Sequence, residues 1–378
     1  MHAKKANLLG FTESELVDFA DSIGESKYRG RQIFRWLYER GARDFGSMTD
    51  LGRDLRERLG EAASIDQLTL VTRRVSPVDG TTKFLFALPG EERIETVLIP
   101  PASSFADTHD TAEDEQQRLT LCVSTQAGCP LDCAFCATAT MGFRKNLSAG
   151  EIVDQVLQVR TISGRKITNI VFMGMGEPML NYENVFRAVD IMVGGIGIAA
   201  RRITVSTAGR ADKIIRMGRE NRKVKLAVSL HSAIDRTRTA LMPINRKYNV
   251  QTLIAALREY YAATRRRITY EYIFFDGIND TDEEVDALIA VARQVPCKIN
   301  VIPFHTIDSN RSGSPPLRPS PRMKEHVERL RRSNLTVMVR SNAGEDINAA
   351  CGQLAVRTGH VHGRATVSHI PALVRRDA

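Results

Sequence analysis

Apolar positions in the first sixty or so residues recur at helical spacing. Leu16, Val17, Phe19 and Ala20 follow Thr12-x-x-Glu15, a capping-box pattern that marks a helix start. A second helix is expected near Arg29–Glu39. A third begins near Thr49, with Leu51, Leu55 and Leu59 at four-residue spacing. After Ala63 the texture changes. Lys83–Leu88 and Arg93–Ile99, separated by Pro89-Gly90, read as two strands around a turn. Pro101–Gln117 is polar and acidic and reads as a surface loop.

From Leu119 onward the pattern becomes strand, loop, helix, repeated. The expected strands are Leu119–Ser124, Asn169–Met173, Arg202–Ser206, Val224–Ser229, Ile268–Phe274 and Lys298–Ile302. Ala149–Thr161, Val250–Thr264 and Asp282–Gln294 are among the helical stretches between them. Such alternation implies an α/β fold with a parallel sheet. Six units rather than eight make a partial, open barrel. No dinucleotide-binding glycine fingerprint follows the first strand. Each strand runs instead into an unusual loop, and in α/β barrels the loops at the C-terminal strand ends share one face. Leu335–Arg340 reads as a further, final strand.

The first of these loops holds Cys129-x-x-x-Cys133-x-x-Cys136, half of the six cysteines in eight residues. Four ligands close a structural zinc site or a fully ligated [4Fe–4S] cluster. Three leave one iron open to a ligand. A zinc knuckle with its fourth ligand elsewhere is the alternative. Gly174-Met-Gly-Glu-Pro178 follows the second strand. Its Gly176 lets backbone approach a charged ligand, and Glu177 offers a carboxylate to an ammonium group. Ser206, Ser229 and His231 end the third and fourth strands and offer neutral donors and acceptors for ribose or carboxylate groups. His305 ends the sixth.

Cys122 lies within the first strand. Cys351 sits in a polar, glycine-flanked stretch, Gly344–Leu354, where a thiolate can act as nucleophile. Two buried, inert thiols are the other reading of this pair. Cys297 has no reactive neighbour in sequence. Glu95, in Ile94-Glu-Thr-Val97, is expected to face solvent from a short apolar strand.

Formal net charge is +9, which favours a polyanionic partner. Lys27–Tyr38 interleaves cations with aromatics, and Arg265–Arg267 and Arg329–Arg332 add basic clusters. These are the residue types of phosphate attraction and base stacking. No apolar run of 18 residues exists, so no membrane span is expected. The N-terminus lacks a secretory h-region, and clustered thiols fit a reducing compartment. The cytoplasm is the expected location.

Together these motifs resemble the RlmN family of the radical S-adenosylmethionine (SAM) superfamily. Those enzymes methylate C2 of adenine in 23S ribosomal RNA and commonly in tRNA. The resemblance runs through Tyr28-Arg-Gly-Arg-Gln-Ile33, Ile94-Glu-Thr-Val97, Gln126–Thr138, Met173–Pro178, Ser229-Leu-His231, Leu241–Asn245, Gly277–Asp280, Asn300–Phe304 and Asp346–Leu354. It implies a partial (β/α)6 radical SAM barrel with a small N-terminal helical accessory domain. The expected division is 1–85 for the RNA-binding helical domain, 86–118 for a strand pair and linker, 119–343 for the barrel and 344–378 for a C-terminal segment.

The resemblance further implies Cys129, Cys133 and Cys136 as ligands of one [4Fe–4S] cluster. Gly176, Glu177, Ser206, Ser229, Leu230, His231 and His305 match SAM-contacting positions. Many relatives have asparagine where His305 stands, and Ser206-Thr-Ala-Gly209 departs from the commoner Ser-Thr-Ser-Gly. Cys351 matches the cysteine that becomes methylated, Cys122 the thiol that later pairs with it in a disulfide, and Glu95 a proton acceptor. A reductant such as flavodoxin, a monomeric state and 23S rRNA and tRNA as partners are implied too. Related enzymes methylating C8 of adenine usually have alanine after the glycine–glutamate pair. Pro178 stands there in this chain, which favours C2. A radical SAM protein activase would need neither Cys351 nor the basic N-terminal region, and a non-enzymatic RNA-binding zinc protein would not need Glu177.

Overall fold

The computed structural model describes residues 5–101, 118–305, 317–340, 343–354 and 356. Of the acidic loop expected at 101–117 only Pro101 is among them.

One sheet of ten strands organises the chain, and its strands lie side by side in chain order. Seven are parallel: Thr120–Cys122, Asn169–Phe172, Ile203–Thr207, Lys225–Ser229, Ile268–Tyr272, Cys297–Val301 and Val337–Val339. The first six are the strands expected from the hydrophobic runs. The seventh is the final strand, added beside Cys297–Val301. The apolar runs are nearly continuous because helices cover these strands; Ile170, Val205, Val228, Tyr270 and Ile299 are all fully or almost fully buried.

At the first strand the sheet continues antiparallel through Arg93–Ile99, Thr82–Ala87 and Thr69–Val75. Two of these strands match the expected pair. The outermost, Thr69–Val75, has all seven residues exposed, so no burial pattern marks it in the sequence. Thr82–Ala87 runs through the expected boundary at residue 85 and belongs to the same sheet as the barrel strands. Glu95 is a correction. It is 6% exposed rather than facing solvent, because Arg93–Ile99 is an interior strand with neighbours on both sides.

The three N-terminal helices are Glu13–Ser22, Lys27–Tyr38 and Arg53–Ala62. The capping box is present: the Glu15 N–H donates to Thr12 Oγ1 at 3.4 Å and the Thr12 N–H to Glu15 Oε2 at 2.8 Å. A second box, Ser148 with Glu151, opens the first barrel helix, Ala149–Ser163. The helical region shares one continuous core with the barrel; Leu8, Leu37 and Tyr38 belong to the same cluster as Ile152 and Val156. Tyr38 Oη donates to the Phe11 carbonyl at 2.8 Å and accepts the Gly10 N–H at 2.9 Å. Buried Asp154 accepts the Leu68 N–H at 2.7 Å and pairs with Arg43.

The two bodies meet backbone to backbone at Gly10 and Gly150. A Cβ on Gly150 would lie 2.1 Å from the Leu9 carbonyl oxygen. Gly150→Ala is therefore expected to cost about 1–3 kcal/mol, because backbone rather than a pliable side chain must shift. A lowered denaturation midpoint checks this, and an unchanged midpoint would contradict the close contact.

Candidate active site

The loops after the parallel strands close over one cavity. Cys129, Cys133, Cys136, Gly176, Glu177, Ser206, Ser229 and His231 line it, together with Phe135, Met173, Glu271, Arg340 and Cys351. Residues drawn from seven stretches of sequence thus reach one site, as the strand-end argument anticipates.

The cysteine loop is framed by a short hairpin, Gln126–Gly128 with Phe143–Asn146, which the hydrophobic pattern does not reveal. Burial raises the Cys129 thiol to about 12, with the Cys136 charge adding to it and a Leu131 N–H opposing. Cys133 is also pushed well up, by burial first and then by Cys136 and Cys129. Cys129 and Cys133, which resist ionisation, need a cation to become ligands. A single tetrahedral zinc would draw its sulfurs to roughly 4 Å from one another, given Zn–S bonds of about 2.3 Å. The three thiols of the loop do not converge so closely. Among the described residues the only three donors within 4.8 Å of one another are Asp282, Glu325 and His326. In that group Arg322 and Arg329 already pair with Asp282. Wider spacing suits thiolates that each take a different iron, so the donor set fits a [4Fe–4S] cluster better than one ion.

Glu177 is 4% exposed. Oε1 accepts the Met179 N–H at 3.0 Å and Oε2 the Ala208 N–H at 2.8 Å; its own N–H donates to Gln126 Oε1 at 2.8 Å. Burial raises its pKa, and the Ala208 hydrogen bond opposes the shift. Gly176, at φ +99°, is needed here: a Cβ would meet the Gln126 side chain at 2.5 Å.

His231 packs edge to face on Phe135, ring centroids 4.5 Å apart. The Ile273 N–H donates to its Nδ1 at 3.1 Å, which leaves the ring proton on Nε2. Burial, then the Arg238 charge, lowers its pKa to about 3. The ring is a neutral donor. Leu230 is fully buried and absent from the cavity lining; its N–H donates to the Glu271 carbonyl and its carbonyl accepts from Ser232.

A smaller neighbouring cavity holds the rest of the expected chemistry. Cys122, Cys351, His305, Met173 and Arg340 line it. Cys351, Met173 and Arg340 thus border both cavities. Cys122 and Cys351 meet at one wall, while His305 faces this space rather than the larger cavity. His305 Nδ1 lies 2.8 Å from Glu345 Oε1. Burial raises Cys122 strongly, with the Cys351 charge adding to it. Cys297 is buried with Sγ on the Ala292 carbonyl at 3.2 Å, as an inert thiol should be.

Glu95 lines neither cavity. Lys83 Nζ is 3.1 Å from its Oε1 and donates at 2.9 Å to the Asn348 carbonyl, in the segment that carries Cys351. The Gly344 N–H donates to Asp79 Oδ2 at 2.9 Å. On the other side Ala137 N–H donates to the Gly352 carbonyl and Thr138 Oγ1 to the Leu354 carbonyl, at 2.7 and 2.6 Å.

Several site residues escape sequence reasoning. Arg238 is fully buried, donating to Asn245 Oδ1, the Ala208 carbonyl and the Ser229 carbonyl at 2.8, 2.7 and 3.2 Å. Nothing in Asp235–Leu241 distinguishes it from a surface cation. Glu271, an acid inside an apolar strand, did carry a signal. The basic patches are also redistributed. Phe34 and Tyr38 lie in the core, and Arg40 covers Trp36 at 4.1 Å, so these three aromatics are not free platforms for bases. Lys27, Tyr28, Arg31 and Arg35 are exposed. Arg329 pairs with Asp282 and Asp286.

An open parallel barrel whose strand ends gather three cluster-spaced thiols beside a buried carboxylate defines a radical SAM protein. The Radical SAM superfamily model matches residues 123–289, and the model for the ribosomal RNA large subunit methyltransferase N-terminal domain matches residues 6–65. The dual-specificity RNA methyltransferase RlmN of Syntrophobacter fumaroxidans is 43% identical over 354 residues, 92% of this chain and 98% of its own. That of Desulfotalea psychrophila is 41% identical over 365 residues, 93% of this chain and 95% of its own. The crystal structure of a radical SAM methyltransferase from Sphaerobacter thermophilus superposes with a TM-score of 0.82 at 41% identity, covering 92% of this chain and 99% of that one. This chain belongs to the RlmN family, and its cofactors are a [4Fe–4S] cluster and SAM.

Because His231 binds its proton less tightly folded than unfolded, the unfolded chain takes up more protons between about pH 6.5 and 3. His231 is therefore expected to make stability fall as pH drops through that window. His231→Gln should flatten the decline in denaturant midpoint between pH 6.5 and 4. An equally steep decline would show that the ring is not held neutral.

Proposed function

We propose that this protein methylates C2 of adenine in 23S rRNA and in tRNA, through a methyl group carried on Cys351. The supporting observation is that Cys351 borders two cavities, one lined by the three clustered cysteines and the other by Cys122. A chemistry that loads a sulfur and then releases product from it needs access to both. Relatives over 40% identical bear the name dual-specificity RNA methyltransferase, which supports both RNA substrates. Pro178 after Glu177 favours C2 over C8.

In this reading Cys129, Cys133 and Cys136 hold the cluster. When bound, the cluster and SAM supply a one-electron reductive cleavage that no side chain can perform. Glu177 accepts from the amino group of SAM. Ser206, Ser229 and the Nε2–H of neutral His231 serve its carboxylate and ribose, Gly176 admits backbone contact, and Leu230 backs the floor. His305, on the wall shared with Cys122, is assigned to the edge of the SAM site nearest Cys351.

Cys351 first receives a methyl by displacement. That methyl would lose one hydrogen atom to the product of the reductive cleavage, and the resulting carbon radical on Cys351 would add to C2, which is not nucleophilic enough to be methylated directly. Glu95, ion-paired with Lys83 and outside both cavity linings, is assigned to accept the C2 proton once the bound adenine opens a path to it. Cys122 then attacks the sulfur of Cys351: the bond from that sulfur to the product carbon breaks, the carbon takes a proton to complete the methyl group, the adduct's unpaired electron would return to the cluster, and the disulfide left behind is reopened by an external reductant. A flavodoxin-like donor fits both electron needs. The adenine must leave its stack to reach the cavity.

RNA contact is assigned to the helical region within residues 1–85, through Lys27, Tyr28, Arg31 and Arg35. The linker 86–118, the barrel 119–343 and the segment 344–378 complete the division. A cytoplasmic monomer is the expected state. Among the described residues no helix is long and apolar enough to cross a membrane.

Replacing any one of Cys129, Cys133 or Cys136 by alanine is expected to lower bound iron and abolish 5′-deoxyadenosine formation, measured after anaerobic reconstitution. Retained cleavage in a triple-alanine protein would refute the cluster assignment.

The two remaining thiols should separate. Cys351→Ala is expected to fail at the first methyl transfer. Cys122→Ala should accept the methyl and add to RNA but not resolve. A denaturing gel should then show an RNase-sensitive protein–RNA band. Normal turnover by either variant, read by nucleoside mass spectrometry, would end the two-thiol scheme.

A further inference from the structure

Arg340 leaves the seventh parallel strand and is 8% exposed. Its Nη1 lies 3.4 Å from Cys351 Sγ and 3.5 Å from Glu271 Oε2, and its Nη2 lies 3.2 Å from Met173 Sδ. Glu271 is 2% exposed, and its other oxygen accepts from Asn300 Nδ2 at 3.1 Å. Glu271, Asn300 and Arg340 stand on, or directly after, three adjacent strands. None of the roles assigned above uses this group.

We propose that Arg340 is a positioning residue for the methyl-carrying sulfur: it fixes Cys351 Sγ at the wall between the two cavities and supplies the positive charge that faces it. The proposal rests on the reading of Cys351 as methyl acceptor. Only a thiolate attacks well. Burial works against that form and raises the Cys351 pKa, and Arg340 is the first influence opposing the rise. In the transfer, a thiolate that has lost its proton to solvent bonds to the methyl carbon of a sulfonium. The old carbon–sulfur bond breaks with its electron pair staying on the departing thioether. The sulfur of Cys351 thus changes from anion to neutral thioether. Glu271 keeps Arg340 paired on both sides of that change, so no buried cation is left uncompensated. The planar guanidinium spans carboxylate, thiol and thioether together, which a lysine ammonium cannot do in one rigid geometry.

The test is the rate at which iodoacetamide alkylates Cys351 at neutral pH. It is read by peptide mass spectrometry on the full-length, reconstituted protein. The Cys351 residue is exposed although its sulfur is turned inward against the two cavities, so the reagent reaches it from the cavity side. Arg340→Gln is expected to slow alkylation about tenfold, a loss of about one pK unit of thiolate stabilisation. Arg340→Lys should recover part of the rate. Glu271→Gln should raise the rate, because the guanidinium charge is then shared with one anion fewer. A purely structural role predicts that both neutral variants move the rate in the same direction. Equal rates in Arg340→Gln and wild type, or shifts of one sign in both neutral variants, overturn the proposal. If Arg340→Gln does not fold, Glu271→Gln decides: a rate at or below wild type overturns it. Cys351→Ala, assayed in parallel on RNA, separates the two levels. Methylation by that variant removes the methyl-acceptor reading and the proposal with it. An inactive variant alongside unchanged alkylation rates removes the Arg340 role alone.

Discussion

The site depends on how backbone groups are satisfied once the strands end. Inside the sheet each N–H and carbonyl has a ladder partner, and in the loops beyond it those partners must come from elsewhere. Glu177 supplies them at the cofactor end. One buried carboxylate takes an N–H from its own turn and another from the loop after the third strand, while its own N–H reaches Gln126 after the first. Arg238 does the complementary work with carbonyls, binding those of Ala208 and Ser229. An anion collects N–H groups and a cation collects carbonyls, so four loops are tied without a regular element. Left unpaired, each such buried group would cost about 1–3 kcal/mol.

The same arrangement sets the electrostatics. Cys129 and Cys133 resist ionisation, His231 is neutral, and Glu177 is raised by burial. A cavity whose titratable groups are held this way suits a ligand recognised by directed hydrogen bonds, and a cation brought to the cysteine loop would favour the thiolate form of its thiols.

The barrel was legible because its strands are buried on both sides and therefore continuously apolar. The cysteine loop was legible because its pattern is local, three thiols within eight residues. Thr69–Val75 was not, since a strand exposed along its whole length carries no alternation. Glu95 was misread for the opposite reason: a charged residue in a short strand looks solvent-facing until its partner is known, and Lys83 lies on the neighbouring strand. Arg238 and Arg340 were invisible because a buried guanidinium is specified by carbonyls, carboxylates and sulfur that the fold brings to it. The basic stretch Lys27–Tyr38 mixes both cases, its cations exposed and most of its aromatics serving the core.

The segment bearing Cys351 is gripped by two remote parts of the chain. Asp79 and Lys83 hold Gly344 and Asn348 across 265 positions of sequence, and the end of the cysteine loop holds Gly352 and Leu354. This has a consequence for inheritance. A recombination event that imported a foreign C-terminal stretch would bring a loop cut to a different hairpin turn and a different metal-binding loop. The three pieces are distant in the gene yet form one hereditary unit. Changes at Asp79, Lys83 or Thr138 should be tolerated in evolution only alongside compensating changes near residues 344–354, which makes this stretch a poor module for domain exchange between otherwise similar enzymes.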